Sequence, residues 1–223
     1  MTKMESESQF QLMKTRRFLP LFVTQALGAF NDNLFKNILI VLLVSAGTAG
    51  QFDSNVMINL AAGLFVLPFF LFSPLAGQLA DKFEKSRLIR IVKIMEILVM
   101  GLGVLTLAFH WWWGLMVVLF LMGTQSTFFG PLKFSILPQH LHRSELVAGN
   151  AQVEMGTFVA ILMGTLLGTL IGGMENYLYI MAVSVLAVAL AGWLCSRQIP
   201  IAEPHASDLR LNWNPLTEMI ELV

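Results

Sequence analysis

Cysteine is nearly absent, with Cys195 the single one in 223 residues. That excludes an internal disulfide and any thiolate cluster for a metal. Inside an apolar run, Cys195 reads as a small apolar filler. Charge is scarce as well. Charged residues make up 13% of the chain against 56% hydrophobic ones, and mean hydropathy is +0.71, values foreign to a soluble domain. Alternating polar and apolar residues, the mark of an outer-membrane barrel, are missing. So are a phosphate-cradling glycine loop, zinc spacing and an adenylate-forming motif. His140, His142 and Glu145 approach an acyltransferase pattern, but Glu145 stands where that pattern needs Asp and the flanking residues do not fit. The chain therefore reads as no enzyme, with no metal, no cofactor and no nucleic-acid partner. A formal net charge of zero and a pI near 6.9 say little more about partners.

What is present in abundance is the long apolar run. A membrane-spanning helix needs about 20 mostly apolar residues, and six stretches qualify: 18–45, 56–78, 88–109, 114–137, 146–172 and 176–196. Lipid admits only helices or closed barrels, so the expected fold class is an all-α membrane protein with a six-helix bundle over 18–196. The first run is too long and too charged for a cleaved secretory signal, and it lacks a small-residue cleavage site. It is expected to be retained.

Cations set the orientation, because short loops rich in Lys and Arg stay in the cytoplasm. They cluster before the first span, around the second and fourth loops and after the sixth span, whereas 46–55, 110–113 and 173–175 carry no Lys or Arg. Both termini, 1–17 and 197–223, are thus expected to be cytoplasmic, in a multi-pass protein of the bacterial inner membrane. Trp111, Trp112 and Trp113 fit the aromatic belt at the outer interface.

Ionisable residues at membrane depth cost roughly 2.5–3.5 kcal/mol each on insertion scales, so they mark pathways or partners. On the first span, Gln25, Gly28, Ala29, Asp32 and Lys36 share a stripe about 100° wide. Asp32 lies roughly 22 Å along the helix from Arg17, near mid-membrane. Asn31 and Asn33 extend the polarity. Two readings stand: a solute pathway, or an Asp32–Lys36 ion pair at i,i+4 that neutralises itself. On the fourth span Pro131, after Gly130, removes a backbone hydrogen bond and predicts a hinge or break. Lys133 follows it, roughly 28 Å from the outer end, either facing the pathway or snorkelling to water. Glu154, with Asn150 and Gln152, is a polar patch on the fifth span that could pair with Lys133 or Lys93. Gly164, Gly168 and Gly172 form a small-residue packing face. Lys93 and Glu96 at i,i+3 should satisfy each other near the cytoplasmic surface.

Between the second and third spans runs Gly77-Gln78-Leu79-Ala80-Asp81-Lys82-Phe83-Glu84-Lys85-Ser86-Arg87. This resembles the signature loop of the major facilitator superfamily, with Gly77, Leu79, Ala80, Asp81, Lys82 and Lys85 matching. Glu84 replaces a Gly and puts the family's tight turn in doubt, and Ser86 replaces a basic residue. Three more segments, Ala29-Phe30-Asn31-Asp32-Asn33, Phe129 to Leu137 and Gly149 to Thr157, resemble the lysophospholipid transporter branch of that superfamily.

The resemblance implies alternating access. Asp32 and Lys133 would be the embedded charges that matter, with Glu154 matching an acidic position. Asp32 would face the cation of an ethanolamine head group, Lys133 the phosphate, and apolar walls the acyl chain. Gln25, Asn33 and Lys36 complete the candidate binding set. Gly77, Asp81, Lys82, Lys85 and Pro131 form the candidate gating set, Asp81 helping to latch the cytoplasmic side. The bilayer and a lysophospholipid are the implied partners, along with an acyltransferase or acyl-carrier-protein synthetase.

Superfamily members pair two six-helix halves with the site between them, and this chain has one half. The expectation is the N-terminal half of a major facilitator, either a fragment truncated before a seventh span or half of a split transporter, not competent to transport alone, with Asn214 capping a helix that starts at Pro215. Two alternatives stay open: a proton-coupled carrier in which Asp32 or Glu154 titrates, and a membrane anchor that recruits lipid-remodelling enzymes.

Overall fold

Six long helices carry the chain back and forth in the computed structural model, which describes residues 11–48 and 53–209. They are α1 (Leu19–Thr48), α2 (Ser54–Lys82), α3 (Lys85–Ala108), α4 (Trp112–Ser135), α5 (Leu146–Gly172) and α6 (Tyr177–Ser196). A single helical turn, Leu137–His140, follows α4. All six are long and apolar enough to cross a membrane. The helix expected from Asn214 lies outside the described residues.

Burial sorts the helices. Half of the most apolar window is buried in α1 and in α4, but only 17% in α2 and 22% in α6. The polar stripe of α1 therefore belongs to the protein interior, and the apolar surfaces of α2 and α6 are turned outward. α1 packs along α5 and α6, α2 along α4, and α3 against both α4 and α6. One apolar core, around Phe35, Ile38, Leu115 and Val185, fills the half of the bundle nearer the α3–α4 turn. A second, with Phe18, Ile89, Ile136, Val153 and Ile199, fills the other end.

The α1–α5 seam follows from the small-residue face on α5. A Cβ on Gly164 would strike the Phe30 carbonyl oxygen, and one on Gly168 would strike that of Leu34. Only glycine permits this backbone approach. Gly168→Leu should lower stability by about 1–3 kcal/mol through overpacking. Thermal unfolding in detergent reads this, and a wild-type melting temperature would show that the seam opens freely.

Local chemistry revises several sequence expectations. α2 runs through Lys82, so Gly77 to Lys82 are helical and not loop, leaving only Phe83 and Glu84 as the turn. Glu84 needs no left-handed backbone: at φ −63° and ψ 119° its carboxylate caps α3, accepting from the amides of Ser86 and Arg87 at 2.8 and 2.9 Å. The capping interaction replaces what glycine would have done. Pro131 does not interrupt α4, which stays helical from Trp112 to Ser135. Membrane helices tolerate such prolines because neighbours re-satisfy the freed backbone groups. The chain breaks instead at the following short turn.

The segment after α6 lies across the same end of the bundle. Ala202 donates its amide to Glu84 Oε1 at 3.0 Å and accepts from the Lys85 amide at 3.1 Å. The amides of His205 and Ala206 donate to the Asp81 carbonyl at 2.9 and 3.0 Å. Nearby, Arg17 grips both oxygens of Glu145 at 2.6 and 2.7 Å, tying the N-terminal segment to the start of α5.

This arginine fork holds the Glu145 carboxyl down at about 2. A depressed carboxylate pKa stabilises the fold fully above the ordinary value of 4.5, and that contribution disappears as pH falls towards 2. Both side chains are partly exposed, so the loss should be about 1 kcal/mol or less. Melting curves between pH 6 and pH 3 should show a small acid-side drop that Glu145→Gln abolishes. An identical drop in the variant would assign it to other carboxylates.

Candidate functional site

The enclosed face of α1 opens on a cavity of about 300 Å³ walled by α2, α3, α4 and α5. Gln25, Asp32, Asn33 and Lys36 enter it from α1, and Lys133 from α4. Glu154 stands just behind, 3.4 Å from Lys133. The structure thus brings the six candidate binding residues into one region.

Asp32 is 8% exposed. Its Oδ2 accepts from the Ser126 hydroxyl at 2.6 Å, while Oδ1 has no hydrogen-bond partner. An acceptor oxygen of a buried carboxylate is costly to leave unmatched. Asp32 lines the cavity together with Lys36, Gln125 and Ser126. Gln25 is fixed by its own bonds, Nε2 donating to the Val153 carbonyl at 3.1 Å and Oε1 accepting from Thr157 at 2.7 Å.

The proposed self-neutralising pair on α1 does not form. Among the described residues Lys36 has no carboxylate within ion-pair distance, and its Nζ sits 4.0 Å over the Phe65 ring, a cation–π contact. Lys133 does not simply snorkel: its side chain is 16% exposed and pairs with Glu154. Asp32 and Lys133 line the same cavity without touching as an ion pair.

Lys93 and Glu96 bond at 2.6 Å, as their spacing suggests, but not near the surface. Each is 1% exposed, since Lys93 reaches from α3 to α1 beside Gly28 and faces the Phe129 ring at 5.0 Å. Glu96 also accepts from Asn31 at 3.1 Å and Gln125 at 3.5 Å. Lys93 closes the floor of the cavity. Sequence reading missed this contribution, together with Gln125, Ser126 and Thr157. Gln125 and Ser126 belong to Thr124-Gln125-Ser126-Thr127, four consecutive polar residues in an apolar span and a signal that could have found them, whereas Thr157 is an isolated hydroxyl.

Of the gating candidates, Lys85 is 1% exposed, and its Nζ donates to the Glu203 carbonyl at 3.2 Å. Asp81 holds the strap through its carbonyl, and Lys82 lies 5.9 Å over the Phe83 ring. Gly77 sits in α2 with open space around it. The Glu145 carboxylate is committed to Arg17 and the His142 amide.

A family model described as Major Facilitator Superfamily matches residues 21–222. The chain belongs to the Major Facilitator Superfamily. Three relatives share the name "Lysophospholipid transporter LplT". The protein of Photorhabdus laumondii is 28% identical over 165 residues, 74% of this chain and 39% of the relative. That of Enterobacter is 27% identical over 187 residues, 82% and 44% of the two chains. That of Escherichia fergusonii is 28% identical over 196 residues, 88% and 46%. The chain spans less than half the length of the curated relatives it matches. Membership in this superfamily, with six apolar helices, makes it a multi-pass membrane protein.

Proposed function

We propose that this chain supplies the substrate cavity of a transporter that moves lysophospholipid, of the 2-acylglycerophosphoethanolamine type, across the bacterial inner membrane by alternating access. Superfamily membership supports transport, and the names of the relatives support the substrate class. The observation that carries the reading is a buried carboxylate, Asp32, in the lining of a cavity that also holds Lys36 and Lys133. A zwitterionic head group needs that arrangement, a carboxylate for the ammonium and a lysine for the phosphate, surrounded by apolar walls. The charge asymmetry of the loops supports cytoplasmic termini.

Gating is assigned to the turn between α2 and α3 and to the strap after α6. For Asp81, Lys82 and Lys85 to rearrange, Lys85 must first release Glu203, so the strap couples the signature segment to the exit of α6. Gly77 and Pro131 supply compliance in α2 and α4. The facing surface of a second six-helix unit would complete the cavity.

The test is saturable binding of lysophosphatidylethanolamine to the protein in nanodiscs. Binding should be competed by unlabelled lysophosphatidylethanolamine and far less by monoacylglycerol. Absence of saturable binding, or equal competition by the neutral lipid, would overturn the substrate reading.

A further inference from the structure

A second cavity, of about 430 Å³, adjoins the first between α1, α2 and α4. The two share Asn33, Lys36 and Phe65. Beyond that shared rim the chamber is walled by aliphatic side chains, among them Leu39, Ile58, Ala62 and Leu119, with Asn37 the one polar exception. Lys36 is its single ionisable lining residue, and it stands at the mouth.

Resting on the lysophospholipid reading, we propose that this chamber is the acyl-chain subsite, and that Lys36, not Lys133, holds the phosphate at its mouth. Three observations converge on Lys36. Of the three lysines lining the cavity, Lys93 is held by Glu96 at 2.6 Å and Lys133 pairs with Glu154 at 3.4 Å. Among the described residues Lys36 makes no ion pair and rests over the Phe65 ring, a contact a phosphate can join without displacing a carboxylate. Lys36 is also one turn beyond Asp32 on the same face of α1, a rise of about 6 Å. Two carbons and an oxygen separate the ammonium nitrogen from phosphorus in an ethanolamine head group, roughly the same span. The order along α1 is then ammonium at Asp32, phosphate at Lys36, and chain among Ile58, Ala62 and Leu119. Charge complementarity fixes the polar end, and the aliphatic lining selects a single hydrocarbon chain. Phe65, under the Lys36 ammonium, separates the two compartments.

The measurement is photolabelling in nanodiscs with lysophosphatidylethanolamine carrying a diazirine at the end of its acyl chain, with adducts mapped by mass spectrometry. Adducts are expected on residues 58–66 of α2 and 39–40 of α1, competed by unlabelled lysophosphatidylethanolamine. Ala62→Phe, on the open wall of the chamber, should cut them at least fivefold for a long chain and much less for a short one. Lys36→Met should cut labelling by the phosphate-bearing probe but not by a monoacylglycerol with the same chain. Saturable head-group binding that Asp32→Asn weakens, combined with adducts confined to outward residues such as Leu98, Leu105 and Leu166, would overturn the chamber assignment alone. Loss of saturable binding to the unmodified protein would overturn the substrate reading itself, and this inference with it.

Discussion

Replacing Glu96 by Leu should be the most damaging single change to the bundle, costing about 3–5 kcal/mol, because it strands a buried ammonium. Lys93 is 1% exposed, with Gly28 beside its Nζ, the Phe129 ring on another side and only the cavity to turn towards. Glu96 is also the acceptor on which three helices converge, through Lys93 from its own helix, Asn31 from α1 and Gln125 from α4. Asn31 in turn donates to the Val185 carbonyl of α6 at 3.2 Å, so the loss reaches a fourth helix. The double variant Lys93→Met with Glu96→Leu removes both charges together and should recover most of the melting temperature, because an apolar replacement of a buried pair is often nearly neutral. Thermal unfolding and the monodisperse fraction in detergent read the effect. A Glu96→Leu single variant as stable as the parent would mean that Lys93 escapes to water.

Much of the fold was legible because lipid makes the code simple: an apolar run of sufficient length must be a helix. The six helices expected are long and apolar enough to cross a membrane. The glycine face on α5 was read for packing and packs against α1. The polar stripe of α1 and the Lys133–Glu154 pair were also visible, since charges in apolar runs stand out. Three things were hidden. Depth along α3 was misjudged for Lys93, since a cation near a loop follows the same pattern whether it faces water or a polar cavity. Pro131 predicts a hinge or break, yet the helix continues through it to Ser135. The strap at 199–206 was invisible because its partners, Asp81, Glu84 and Lys85, are more than 100 residues away, and an extended backbone has no periodicity to betray where it docks. The Glu84 cap was legible in principle, since an acidic residue two positions before Ser86 can accept from the first free amides of a helix.

The largest functional effect is expected at Asp32. If the proposed function holds, Asp32→Asn in a transport-competent protein should keep the shape and the Ser126 hydrogen bond while removing the charge proposed to meet the ammonium. A charge-assisted hydrogen bond contributes about 1.5–3 kcal/mol, which corresponds to a loss of uptake from roughly tenfold to more than a hundredfold. Asp32→Ala should be at least as severe. Asp32→Asn should neither impair insertion nor lower the melting temperature, because it can keep the Ser126 hydrogen bond and removing a charge from this depth relieves a desolvation cost. Function and stability are therefore predicted to part company at this position, the reverse of the behaviour at Glu96, where a carboxylate of similar burial is fully engaged. Measuring uptake into sealed vesicles alongside thermal unfolding decides between them. If Asp32→Asn transports normally, the carboxylate has no part in binding, and if it unfolds the protein as Glu96→Leu does, Asp32 belongs to the structural network instead of the substrate path.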